Sequence, residues 1–149
     1  MNTPALKKAA AFCAYQERTQ QEVRQRLREW SVWGDETEEI IAQLIEDGYL
    51  NEERFARSFA GGKFRIKNWG RVKIERELRQ RGLSGHNLKA GLSEIEDKNY
   101  RQTLQTLLDK KAASLKGAES YLLRQKLARY AIGKGYEADL VWSLLKEEE

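Results

Sequence analysis

Proline is almost missing from this chain. After Pro4 there is none, so no pyrrolidine ring interrupts a helix anywhere downstream. Cysteine occurs once, as Cys13, which excludes an internal disulfide and fits a reducing compartment. Histidine also occurs once, as His86. One His and one Cys at this spacing cannot assemble the mixed ligand set of a zinc site, although carboxylate-only sites stay open. β-Branched residues are sparse, which argues against a sheet. No apolar run approaches the roughly 20 residues that cross a membrane. The opening Met1-Asn2-Thr3-Pro4-Ala5-Leu6-Lys7-Lys8 lacks the apolar centre and cleavage site of a secretory leader. A cytoplasmic protein with no membrane contact is expected. There is no glycine loop of the strand–loop–helix kind that cradles phosphates. Cys13 lies on an apolar helix face and reads as a small core residue. His86 lies in Ser84-Gly85-His86-Asn87 and reads as a helix-start residue rather than a general base. These gaps predict a protein that is not an enzyme and carries no cofactor.

What the chain does have is charge, and it is unevenly placed. Charged residues make up 34% and apolar residues 40% of the 149, with a net charge of +4. Asp35 to Glu53 holds eight acidic residues and no basic one, whereas Arg54 to Arg81 holds ten basic residues with only Glu75 and Glu77 as acids. Such asymmetry points to a charged partner rather than a small-molecule substrate. The acids Asp35, Glu36, Glu38 and Glu39 mostly suit the first turn of a helix, whose free N–H groups they complement.

The apolar positions recur at helical spacing throughout, separated by short turns. A first helix is predicted from about Ala5 to Gln16, with Leu6, Ala9, Ala10 and Cys13 on its apolar side. Thr19 and Glu22 form a capping box before a helix that sets Val23, Leu27 and Trp30 on one face. Trp33-Gly34-Asp35 is the next turn. Ile40, Ile41, Leu44 and Ile45 follow, and Gly48 ends that helix in the left-handed conformation. The same order then returns. A long helix from Glu52 to about Lys67 is apolar at Phe55, Phe59, Phe64 and Ile66. Asn68-Trp69-Gly70 is a turn, Ile74 and Leu78 mark a shorter helix closed by Gly82, and Leu88, Leu92 and Ile95 mark the next. A third copy carries Tyr100, Leu104, Leu107 and Leu108, a break at Lys116-Gly117, then Leu123 and Leu127 before Gly133-Lys134-Gly135, and finally Leu140, Val141, Leu144 and Leu145. Val23 and Leu27 match Ile74 and Leu78 at a separation of 51, and Gly82-Leu83 matches Gly135-Tyr136 at 53. A period of this length predicts an all-α tandem array of three three-helix repeats. The boundaries expected are 1–50, 51–97 and 98–149. Gly61-Gly62 interrupts the long helix with two poor helix formers, read as a kink or close crossing, with a hinge as the alternative.

On the Arg71–Arg81 helix, Ile74 and Leu78 define the buried side. At about 100° per residue, Val72, Lys73, Arg76, Arg79 and Gln80 fall opposite. Glu75 can pair with Arg79 and Glu77 with Arg81. Lys63, Arg65 and Lys67 add charge upstream, and the cluster can meet phosphates or an acidic protein surface. The alternative is a solvated face that keeps the chain soluble. A weaker basic stretch follows: Lys110, Lys111, Lys116, Arg124, Lys126, Arg129 and Lys134 are offset only by Glu119 between Lys110 and Lys134. Trp30, Trp33, Trp69 and Trp142 read as packing residues. Trp69, beside the basic helix, is also placed to stack on a base, although single-strand binders use several spaced aromatics.

These segments resemble the RecX family of bacterial recombination regulators. The resemblance rests on Gly48-Tyr49-Leu50-Asn51-Glu52-Glu53-Arg54-Phe55-Ala56, on Gly70 through Ile74-Glu75-Arg76-Glu77-Leu78 to Gly82-Leu83, on Thr19 to Leu27, and on Lys126 through Tyr130 to Gly135-Tyr136. It spans about Ala5 to Leu145. Arg71 stands where that family often has proline, and Ala131 and Gly133 replace bulkier or more basic residues. The resemblance implies an elongated, curved array with no cofactor and no catalytic site. It implies a RecA–DNA filament as partner, with inhibition of strand exchange, ATP hydrolysis and co-protease activity, and so a place in recombination, DNA repair and the SOS response. Single- or double-stranded DNA is a second candidate partner, and a monomer is expected. Candidate contacts are Lys63, Arg65, Lys67, Arg71, Lys73, Arg76, Arg79, Lys126, Arg129 and Lys134. The competing reading is an autonomous helix-turn-helix-like DNA binder with Arg71–Arg81 as recognition helix.

Overall fold

A computed structural model describes residues 1–147. The last two positions of the expected third repeat, 98–149, lie outside the described residues. Among the described residues there are nine helices and no strands. They are α1 (Thr3–Tyr15), α2 (Gln20–Glu29), α3 (Gly34–Glu46), α4 (Glu52–Lys67), α5 (Arg71–Gln80), α6 (Gly85–Leu92), α7 (Asp97–Ser114), α8 (Ser120–Gly133) and α9 (Ala138–Glu147). The chain divides into two compact groups, Met1–Phe59 with Leu78–Gly91, and Ala60–Glu77 with the chain from Leu92 on. α4 and α5 therefore each give residues to both. Gly61 and Gly62 lie within an unbroken α4, with Gly61 buried.

The first group is built on small residues. Ala5, Ala9 and Cys13 are buried on one stripe of α1 and share a core with Val23, Leu27, Ile40, Ile41 and Leu44. Small side chains at i, i+4 and i+8 let neighbouring helices approach closely. Asn2 caps α1 by accepting from the Ala5 N–H at 3.0 Å. Thr19 and Glu22 form the expected capping box, with the Thr19 hydroxyl accepting the Glu22 N–H and Glu22 accepting the Thr19 N–H. Glu52 closes the same terminus by accepting the Gln20 N–H at 2.9 Å. At the other end of α3, Arg54 donates to the carbonyls of Gly48 and Tyr49 and pairs with Glu17. α6 packs close on α4: a Cβ on Gly91 would lie 2.8 Å from the Ala56 carbonyl oxygen.

Helix ends carry the repeat most clearly. After α2, α5 and α8 the residues Ser31, Gly82 and Gly135 are left-handed, at φ 61°, 86° and 101°. In each case the next N–H returns to a carbonyl five residues back, Val32 to Leu27, Leu83 to Leu78 and Tyr136 to Ala131. This is the closure that satisfies the last free carbonyls of a helix. A left-handed residue thus closes α2 at Ser31, and Gly34 of the expected Trp33-Gly34-Asp35 turn is left-handed as well, at φ 60°, where α3 starts.

The second group centres on aromatic rings. Tyr100 and Tyr136 are fully buried and stacked with centroids 5.0 Å apart, and Phe64 packs on Tyr100 at 5.8 Å. The Tyr136 hydroxyl donates to the Asn68 carbonyl at 3.0 Å. Ile74, Leu104, Leu108, Leu127, Ala131, Val141 and Leu145 complete the core. Some expected core residues are not buried. Ile66 is 78% exposed and Ile45 46%: Ile45 lies at the edge of the Ile40, Ile41 and Leu44 stripe, and Ile66 is about 200° around α4 from the buried Phe64. Trp33 is 62% exposed and is not the packing residue the sequence suggested, whereas Trp142 is 37% exposed and keeps most of its surface covered.

Candidate partner-binding surface

The basic cluster of the second group is shaped by one turn. Asn68 is left-handed at φ 56°, a conformation that asparagine tolerates better than most residues. It turns the chain back so that the Trp69 N–H reaches the Lys63 carbonyl at 3.2 Å. The Trp69 ring is then approached by two ammonium groups, Lys63 Nζ at 4.9 Å and Lys73 Nζ at 4.4 Å from its centre. Cations over an indole face are attracted by its quadrupole.

Gly70 carries the chain into α5 through a close backbone crossing. Its N–H donates to the Lys134 carbonyl at 2.8 Å, and the Val72 N–H donates to the Gly135 carbonyl at 2.9 Å. A Cβ on Gly70 would lie 2.2 Å from the Gly135 carbonyl carbon, and one on Gly135 would lie 2.3 Å from the Lys73 Cβ. The crossing sets Lys73 and Lys134 on adjacent turns. On α8 and at its C-cap, Lys126, Tyr130 and Lys134 follow at i, i+4 and i+8 with Arg129 beside them. Lys126 and Arg129 are exposed, and the Tyr130 ring is approached by Lys111 Nζ at 4.9 Å and Lys134 Nζ at 5.8 Å. The result is a surface of lysines interleaved with Trp69 and Tyr130.

The ten expected contacts do not all join it. Lys63, Lys73 and Lys134 do, through Trp69 and the backbone crossing, while Lys126 and Arg129 are exposed one to two turns back along α8. Lys67 lies one turn beyond Lys63 on α4, and Arg76 is exposed one turn after Lys73 on α5. Arg65 is about 200° around α4 from Lys63 and lines a different groove, against α7. Arg79 belongs to the first group. Arg71 faces inward. Its guanidinium lies 4.0 Å from the centre of the Tyr100 ring, pairs with Asp97 at 3.4 Å and Glu137 at 3.8 Å, and donates to the Ile95 carbonyl. Its backbone N–H donates to the Tyr100 hydroxyl at 2.9 Å, and that hydroxyl donates to Glu137. Burial, then the Glu137 carboxylate, holds the Tyr100 phenol far above its ordinary range, so it stays a neutral donor. Arg101, then Arg71, holds the Asp97 carboxyl below the usual aspartate range. Sequence reasoning missed Tyr130 as part of the surface, although it falls four residues from both Lys126 and Lys134. Among the described residues no cluster of three His, Cys, Asp or Glu side chains forms a metal site, and no helix is long and apolar enough to cross a membrane.

Three-helix units in tandem, with a lysine- and aromatic-lined face, place the chain among all-α helical-repeat proteins. Three family profiles match in order: RecX, first three-helix domain, over residues 5–44, RecX, second three-helix domain, over 51–92, and RecX, third three-helix domain, over 99–145. The chain belongs to the RecX family of regulatory proteins. It is 34% identical over 131 residues to a regulatory protein RecX of Clostridium perfringens, covering 87% of this chain and 61% of that one. A regulatory protein RecX of Amycolatopsis mediterranei is 26% identical over 146 residues, covering 95% of this chain and 83% of its own length. The fold matches the crystal structure of RecX from Lactobacillus salivarius with a TM-score of 0.90 at 23% identity, covering 97% of this chain and 94% of that one.

Proposed function

We propose that this chain regulates the RecA recombinase by docking on RecA–DNA filaments, restraining strand exchange, ATP hydrolysis and co-protease activity. The observation that supports this most is the lysine and aromatic surface of Lys63, Trp69, Lys73 and Lys134, fixed by the backbone crossing at Gly70 and Gly135. Positive side chains over a rigid scaffold suit both an acidic filament face and exposed phosphates. The autonomous helix-turn-helix reading is disfavoured. A recognition helix presents its N-terminal residues to base edges, whereas the first turn of α5 is engaged by the turn after α8 and by Tyr100.

The test is a titration of the protein into preassembled RecA filaments on single-stranded DNA, following ATP hydrolysis. Docking predicts a falling rate at protein levels well below RecA. Lys73→Glu with Arg76→Glu should weaken that inhibition while helicity and melting stay unchanged. Undiminished inhibition by the double variant would remove this surface from the docking site. No inhibition by the wild type, with tight binding to naked DNA, would overturn the filament reading.

A further inference from the structure

A groove of about 530 Å³ in the second group runs along α7, walled on its other side by the C-terminal part of α4. Along α7 it is lined by Asn99, Gln102, Thr103 and Lys110, and Arg65 faces it from α4. The α7 residues lie on one stripe at i, i+3, i+4 and i+11, which spans about 16 Å at the helical rise. The two amides and the Thr103 hydroxyl make no side-chain hydrogen bond to any described residue, and neither cation is paired with one. No carboxylate lines the groove. Asp109, the acid next to Lys110, is held by Gln105 at 2.9 Å.

We propose that this groove binds an acidic protein segment in an extended conformation. The chemistry selects that occupant in three ways. Side-chain amides offer a donor and an acceptor together, the pair that an extended main chain presents on one edge. A length of about 16 Å accommodates about five residues of extended chain. Arg65 and Lys110, with no acid to offset them, favour carboxylates among those residues. A nucleic-acid strand fits less well. The ring lining the groove, Phe64, is buried at 8% exposure and offers no stacking platform, and two cations neutralise few phosphates. The groove is distinct from the Trp69 surface, and Arg65, grouped with that surface by charge alone, serves this one.

The experiment is fluorescence anisotropy of the full chain with a labelled peptide of alternating Glu and Ser. The same peptide with Gln for Glu and an oligothymidylate serve as comparisons. The acidic peptide should bind, more weakly as salt rises, and the neutral peptide should not. Arg65→Glu with Lys110→Glu should weaken binding at least about tenfold, the scale of losing charge-assisted hydrogen bonds. Asn99→Ala with Gln102→Ala, which touches no charge and no core residue, should weaken it by a smaller factor, about threefold. Lys73→Glu with Arg76→Glu should leave peptide binding intact, so failure of the filament reading and failure of this one are separable. No binding of the acidic peptide, or equal binding by the wild type and both groove variants, overturns the proposal. Oligothymidylate binding that is lost in the same groove variants also overturns it and makes the groove a nucleic-acid site.

Discussion

The N-termini of α2 and α5 occupy the same place in successive repeats, and they are satisfied in opposite ways. Thr19 and Gly70, 51 residues apart, precede the first turn of each. At α2 the free N–H groups are met largely by near neighbours, through Thr19 and Glu22, with Glu52 as one distant partner. At α5 the partners are all distant: the Lys134 carbonyl, the Gly135 carbonyl and the Tyr100 hydroxyl. A helix start needs its first N–H groups paired, and the fold does not require the pairing to be local. The local solution makes α2 a self-capped element. The distant one makes α5 an element whose register is fixed by α7 and the turn after α8. That fixed register is what holds Lys73 beside Trp69.

The comparison breaks most sharply at Gly70. Gly70→Ala forces a Cβ against the Gly135 backbone, which cannot rotate away as a side chain can. We expect a loss of about 3 kcal/mol, read by chemical denaturation, together with weaker filament inhibition as Lys73 shifts. A loss near zero would mean that the backbone crossing is looser than described. Next comes Tyr100→Phe. It removes a buried hydroxyl that accepts from Arg71 and donates to Glu137, for a loss of about 2 kcal/mol. A negligible change would show that water replaces the hydroxyl. Thr19→Ala removes the local cap of α2 and should cost about 1 kcal/mol. If it equals or exceeds the Gly70→Ala loss, the contrast between local and distant closure fails.

That contrast also explains what could be read beforehand. The Thr19 box was legible because its partner lies three residues away. Ile74 and Leu78, both fully buried, were legible from helical period alone. The match of Gly82 to Gly135 was legible because glycine advertises a left-handed turn. Gly34, the glycine of the expected turn, is left-handed too, whereas Ser31 adopts the same conformation with no residue-type signal to announce it. Arg71 was grouped with the exposed cations because it sits in a basic run. Its true partners are 26 residues away at Asp97 and farther still at Glu137, and nothing local announces them. Arg65 was misgrouped for a different reason. Net charge along the chain ignores the rotation around α4 that separates it from Lys63.

The smallest expected effect concerns the ion pairs that steady Arg71. Asp97 binds both Arg101 and Arg71, and these hold its carboxyl below the usual aspartate range in the folded chain. A group whose pKa is depressed by folding binds fewer protons in the folded state than in the unfolded one across the interval between its two values. Its contribution is therefore full above the ordinary aspartate pKa and is lost as pH falls through the depressed folded value. Asp97→Asn removes that proton-linked part. The variant should lose a little stability at neutral pH, where solvent screens an exposed pair, and its stability should fall less steeply with acid than that of the wild type. The Thr19 hydroxyl does not itself titrate, although it also donates to the Glu22 carboxylate at 3.3 Å, so Thr19→Ala should lower the curve of stability against pH mainly through the lost cap. Parallel acid titrations of the two variants, followed by helical circular dichroism, separate the cases. Matching acid limbs in Asp97→Asn and the wild type would mean that Arg71 is held by Glu137, the Ile95 carbonyl and the Tyr100 ring without Asp97.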